Sequence, residues 1–103
     1  MHTIIETPLF TKLWPRYWYE EERGEFAAFL SQNPETDDVV PGTGDLRKVR
    51  WSRAGSDKSG GVRIIYFTRN EAGEIVLLMT YSKSDRANLS AKQLLEIKNA
   101  FDH

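Results

Sequence analysis

The sequence predicts an α+β fold, with helices packed on a small antiparallel sheet. Three observations predict it. The first third holds two stretches of helical apolar spacing, bounded by a cap and by prolines. The middle holds three runs rich in β-branched and aromatic residues, separated by glycine-bearing turns. The C-terminal stretch opens with a capping-box pattern and continues with apolar residues on one helical face.

Each element has its own signal. "HTIIE" at the start is a candidate short strand. Thr7 and Pro8 then read as a helix N-cap and first helical residue. Phe10, Leu13 and Trp14 follow at helical spacing, and Pro15 stops the run. A second helix is predicted over about residues 18–32. Glu20, Glu21 and Glu22 suit its positive N-terminal end, and Phe26, Phe29 and Leu30 form its buried stripe, with Tyr19 a further candidate. Asn33-Pro34 ends it. Strands are predicted over about residues 46–53, 61–69 and 74–83. "AGSDKSGG" joins the first two, and "NEAG" makes a shorter hairpin between the last two. "IVLLMTY" is apolar on both faces, so the last strand should be central and covered on both sides. Ser90 and Gln93 form the capping box of a final helix, whose apolar face is Leu94, Ile97 and Phe101. The chain reads as one domain over residues 1–103, without repeats or linkers.

Composition narrows the function. Hydrophobic residues are 40% and charged residues 28%, as expected of a globular protein. No apolar run is long enough to span a membrane, and the N-terminus has no signal-peptide pattern. With no cysteine, disulfides and thiolate metal sites are excluded, and the expected location is the cytoplasm. The net charge of −1 hides a segregation. Residues 1–45 have three bases and nine acids, net −6; residues 46–70 have seven bases and one acid, net +6; the rest have four and five, net −1. A basic segment of this kind can hold phosphates while the remainder stays acidic.

The usual catalytic sets are missing. The two histidines, His2 and His103, sit at the ends, and the carboxylates lack ligand-like spacing. No metal or cofactor is expected. "GTGDLRK" lacks the full phosphate-loop pattern and precedes a strand. What remains is arginine, lysine and tyrosine on neighbouring strands: Arg47, Lys48 and Arg50; Arg63 and Tyr66; Tyr81 and Lys83. Alternation puts Lys48 with Arg50 on one face of their strand, and Tyr81 with Lys83 on one face of theirs. Register between strands is open at this level. Such a set suits single-stranded RNA, since guanidinium groups grip phosphates and aromatic rings stack on unpaired bases. It also suits metal-free cleavage: the 2′-OH attacks its own 3′-phosphate, cations stabilise the phosphorane, and an acid protonates the leaving oxygen. A lysine among arginines is a plausible base, while arginine serves best as a charge clamp. Plainer readings stand beside these. A basic hairpin is also an ordinary solvated face. Arg63 between Val62 and Ile64 can snorkel or pair with an acid. Lys83 can be ordinary surface, and Tyr66 and Tyr81 can be core or edge residues.

"VVPGTGDLRKVRWSRAGSDKSGGVRIIYF", followed by "IVLLMTYSKSDRANLS", resembles the HigB-type branch of the RelE/ParE toxin superfamily. The resemblance runs from about residue 17 to 98 and rests on G-T-G-x-L-R-K, K-S-G-G-x-R-[IV]-I-Y and Y-x-K-x-x-x-x-x-L-S together. It implies a RelE-like domain of helices on an antiparallel sheet and an endoribonuclease that cuts mRNA in the ribosomal A site without metal. It also implies contact with the ribosome and a cognate helix-turn-helix antitoxin. By motif, Arg63 takes the phosphate and transition-state role, with Lys83 as acid–base or phosphate partner and Tyr81 as a stacking or orienting residue. Arg47, Lys48 and Arg50 would hold RNA, and Lys58 would touch RNA or ribosomal RNA. Tyr66 is a further RNA-binding candidate. Asp45 departs from the pattern, which often has another glycine there. The superfamily also includes ParE-like gyrase poisons, so a gyrase poison and a non-catalytic RNA- or protein-binding module are the alternatives.

Overall fold

A computed structural model describes residues 2–36, 38–51, 62–69, 71–82 and 89–101 of the chain. Strand β1 (Thr3–Glu6) leads into helix α1 (Pro8–Leu13), a 3-10 turn (Trp14–Arg16) and helix α2 (Glu20–Gln32). Strands β2 (Arg47–Trp51), β3 (Val62–Arg69) and β4 (Glu74–Ser82) follow, then helix α3 (Ala91–Phe101).

The caps act as the sequence predicts. Thr7 Oγ1 accepts from the Phe10 amide at 3.0 Å, and it also donates to the Leu78 carbonyl at 2.8 Å. The start of α1 is thereby bonded to β4, which the local pattern does not reveal. The Tyr19 amide donates to Glu22 Oε1 at 2.9 Å, so α2 starts at Glu20 rather than at 18. Trp18 stays outside the helix because its ring is wanted in the core, against Phe10 and Phe26. Tyr19 is correspondingly 71% exposed and does not join the buried stripe. At α3, the Ser90 amide donates to Gln93 Oε1 at 2.9 Å and the Gln93 amide to Ser90 Oγ at 3.1 Å, the reciprocal box the sequence predicts.

The four strands lie in the order β1-β4-β3-β2. β2, β3 and β4 pair antiparallel as expected, but β1 joins the outer edge of β4 in parallel, so the sheet is mixed. The reason is topological. A helical crossover, α1 and α2, carries the chain from one sheet edge to the other and delivers β2 in the same direction as β1. Two direction reversals then return β4 to the direction of β1.

β4 is buried from Ile75 to Tyr81, the central strand its composition predicts. One sheet face, with Val49, Ile64, Tyr66, Ile75 and Leu77, packs on Phe10, Trp18, Phe26 and Leu30. The other, with Ile65, Phe67, Val76, Met79 and Tyr81, packs on Leu94 of α3 and on partly buried Leu9 and Leu13 of α1. A bulge between Ile65 and Tyr66 shifts the β3–β4 register midway along the pair.

The segment before β2 is tied down. Gly42 and Gly44 have φ of 85° and 84°, the left-handed region that glycine tolerates. Between them, Thr43 Oγ1 donates to the Val40 carbonyl at 2.7 Å and accepts from the Leu46 amide at 3.2 Å. These glycines serve a tight turn whose Gly42 lies against Ala91 of α3.

Candidate nucleic-acid interface

Register decides which basic residues share a surface. Arg50 of β2 lies opposite Arg63 of β3, and Arg63 lies opposite Tyr81 of β4. Directly paired residues project to the same face, so the three side chains form one row across three strands. Lys48 belongs to the next row, opposite Ile65, which lies opposite Met79. Lys48 and Arg50 are exposed and Arg63 is half-buried. The face is the one that α3 covers further along, beyond Ile65 and Phe67.

Two like charges directly opposite each other on paired strands oppose folding by about 0.2–1 kcal/mol. Arg50 and Arg63 hold that arrangement, which an anion between them would turn from repulsive to attractive. Thr80 Oγ1 donates to the Arg63 carbonyl at 3.0 Å, fixing the backbone from which this guanidinium projects. Tyr81 is 5% exposed. Burial pushes its phenol above the ordinary value, and the nearby Arg63 charge works in the opposite direction. The hydroxyl, protonated at neutral pH even at the ordinary value, is a hydrogen-bond donor beside a cation.

Two expected RNA contacts fall elsewhere. Tyr66 lies opposite Arg47 and Leu77, one residue out of phase with the row. Its ring is fully buried under α2, and its hydroxyl donates to the Pro34 carbonyl at 3.0 Å. It is a core residue with a satisfied polar tip, and its role as an RNA contact is corrected accordingly. Arg47 shares its phase and is half-buried, on the opposite side of β2 from Lys48 and Arg50. Lys58 and Lys83 lie outside the described residues. Among the described residues, no three His, Asp or Glu side chains gather as a metal site would require.

The structure adds groups that local pattern could not identify. Asp45, just before β2, accepts from Lys98 Nζ of α3 at 3.0 and 3.1 Å. The same ammonium lies 4.7 Å from the centre of the Phe67 ring, on the basic face. The departure at Asp45 is thus answered by a cation more than fifty residues away.

No protein-family model matches the chain. The architecture, a mixed four-stranded sheet with helices on both faces, is a RelE-like α+β fold. Among solved structures it is similar to a double arginine-to-alanine mutant of the E. coli toxin RelE in the free state. The TM-score is 0.60 at 13% identity, over 98% of this chain and 94% of that one. The isolated E. coli RelE toxin gives 0.62 at 15% identity, over 97% and 99%. A chain of the intact E. coli RelBE toxin–antitoxin complex gives 0.62 at 15%, over 80% and 96%. At these identities the likeness is one of fold. No described helix is long and apolar enough to cross a membrane.

Proposed function

We propose that this protein is the toxin of a type II toxin–antitoxin pair, of the HigB type. In this reading it is an endoribonuclease that cuts mRNA in the ribosomal A site and so stops translation in the cytoplasm. The observation that carries the reading is the row Arg50–Arg63–Tyr81 on β2, β3 and β4. The fold it shares with RelE and the motif resemblance add to it. Because one of those neighbours is a toxin bound to its antitoxin, the expected partner is a cognate antitoxin, of helix-turn-helix type by the resemblance.

In the proposed reaction the scissile phosphate sits between Arg50 and Arg63. The 2′-hydroxyl loses its proton to a general base, and O2′ bonds to phosphorus. The bond from phosphorus to O5′ breaks, and O5′ takes a proton from a general acid. Arg63 stabilises the extra negative charge on the phosphorane. Tyr81, held as a phenol, donates to a phosphate oxygen or orients the neighbouring base. Lys83, two residues on in sequence, is the acid–base or phosphate-contacting partner that the motif suggests. Lys48 holds the strand beside Arg50, and Lys58 is the residue that the motif suggests for contact with RNA or ribosomal RNA.

The test is expression of wild type and of a protein carrying both Arg63→Ala and Lys83→Ala, with primer extension on cellular transcripts. Codon-phased cuts and growth arrest in wild type, both lost in a folded double variant, are expected. Undiminished arrest in that variant would sink the proposal. DNA damage with intact mRNA would replace it with the gyrase-poison alternative.

A further inference from the structure

Beside the basic row lies a pocket that the reaction above does not use. Its volume is about 220 Å³, and its walls are Asp38, Val39, Val40, Pro41 and Lys48. The wall is built by the sheet itself. Val39 bridges antiparallel to Arg47, outside the edge strand β2. The Val40 amide donates to the Leu46 carbonyl at 2.7 Å, and the Lys48 amide reaches the Asp38 carbonyl at 3.5 Å. In this pairing Asp38 shares the phase of Lys48, on the face that carries Arg50, Arg63 and Tyr81. Val40 confirms the assignment, since it packs on the core cluster of that same face.

Position, size and chemistry agree on an occupant. Lys48 and Arg50 are two residues apart on one strand, roughly 7 Å, a distance of the order of one step along an extended RNA strand. A phosphate on Arg50 and Arg63 therefore leaves an adjoining base within reach of this pocket. The volume corresponds to roughly seven waters, room for one planar heterocycle. Valine and proline offer apolar walls to its faces, while Asp38 and Lys48 offer an acceptor and a donor to its edge. Guanine presents the matching edge: O6 accepts from an ammonium, and N1–H and the N2 amine donate side by side to a carboxylate. Asp38 already engages neighbours within the chain. A carboxylate has about four acceptor positions, so such a contact leaves capacity for a base. Uracil lacks the amine, and adenine and cytosine lack the paired donors.

We propose that this pocket seats one unpaired guanine of the bound RNA, next to the scissile phosphate, and that Asp38 is the specificity-determining residue. The inference rests on the RNA-cleaving reading for its biological setting, but its test is one of binding. Four uncleavable 2′-O-methyl RNA trinucleotides that differ only in one base would be titrated against the full chain at low salt, followed by fluorescence anisotropy. Guanine is expected to bind about fivefold or more tighter than the other three, the low end of what one well-paired base contact provides. In Asp38→Asn, and again in Asp38→Ala, that preference should collapse, with thermal unfolding to verify that each variant is folded. Four equal affinities in wild type, or a guanine preference that survives both substitutions, overturns the pocket. Cleavage by wild type on translating ribosomes is scored separately. Its absence overturns the enzymatic reading, while the four affinities still decide the pocket.

Discussion

Arg63→Gln separates a functional arginine from a structural one, because the two roles predict opposite patterns in stability and activity. The residue sits directly opposite Arg50, an arrangement that disfavours folding by about 0.2–1 kcal/mol. Removing the charge relieves that repulsion and forfeits whatever the half-buried guanidinium gains from its neighbours within the chain. The two effects are of opposite sign. Net stability should stay within about 1 kcal/mol of wild type, or within roughly 4–8 °C in Tm for a domain of this size. Activity should behave differently. A preorganised donor aimed at developing oxyanion charge is worth about a hundred- to a thousandfold in rate. Glutamine retains hydrogen-bonding capacity but no charge, so most of that factor should vanish. The assay pairs urea unfolding of the purified variant with time-resolved primer extension on translated mRNA. Cleavage within about threefold of wild type, well below the charge contribution just given, would refute the assignment. So would a stability loss beyond about 3 kcal/mol, since that magnitude marks a broken structural pair and would explain lost activity by unfolding.

Three further outcomes follow from the same geometry. Thr7→Ala removes an N-cap bond worth about 1 kcal/mol and strands the buried Leu78 carbonyl at a further cost of about 1–3 kcal/mol, so urea unfolding should show a loss near 2–4 kcal/mol. Tyr81→Phe should change the alkaline limb of stability. The folded phenol titrates above its unfolded value of 10.0, so its contribution is complete below that pH and fades as pH climbs through the higher folded value. Unfolding followed from pH 8 to 12 should therefore show a steeper decline in wild type than in Tyr81→Phe. Lys98→Met keeps an apolar stem for Phe67 but leaves Asp45 unpaired; with Asp45 about half exposed, the loss should stay under about 1 kcal/mol and shrink further in high salt.

The parts of this fold legible in the sequence are those that local chemistry determines. Thr7-Pro8, Asn33 and the Ser90/Gln93 pair each bond within three or four residues, and each marks a boundary where the pattern puts it. The two-sided apolar run of β4 was equally readable, because only a central, covered strand accommodates it. The sheet's parallel edge was not readable, since β1 and β4 are separated by most of the chain and neither carries a signal naming the other. The site divides along the same line. Alternation within β2 correctly separates Arg47 from Lys48 and Arg50. Alternation within β3 likewise separates Tyr66 from Arg63, three residues apart, whereas which residues of β2 and β4 line up with Arg63 is set by pairing alone. The tyrosine that looked like a stacking platform proved to be a buried ring tied to Pro34, while Tyr81, two strands from Arg50, came into line with it.

The segregation of charge along the chain becomes a segregation across the sheet. Four of the nine acids of residues 1–45 lie on α2, where Glu20, Glu21 and Glu25 are exposed above one face, while Lys48, Arg50 and Arg63 line the other. Part of the acidic load is tied up structurally. Arg23 holds Glu6 and Glu20 at 2.6 Å each and lies 4.4 Å over the Trp14 ring, joining α2, β1 and the turn between the helices. Its pKa rises chiefly through the Glu20 hydrogen bond, with burial acting against it and Glu6 assisting. On the basic side, Asp45 is paired with Lys98, and Asp38 lies beside Lys48. In the proposed reading, this arrangement directs a polyanion toward the face where the arginines stand opposed and away from α2. Near-zero net charge is compatible with gripping RNA because what an approaching strand meets within a Debye length is the local face, here the one that carries Lys48, Arg50 and Arg63.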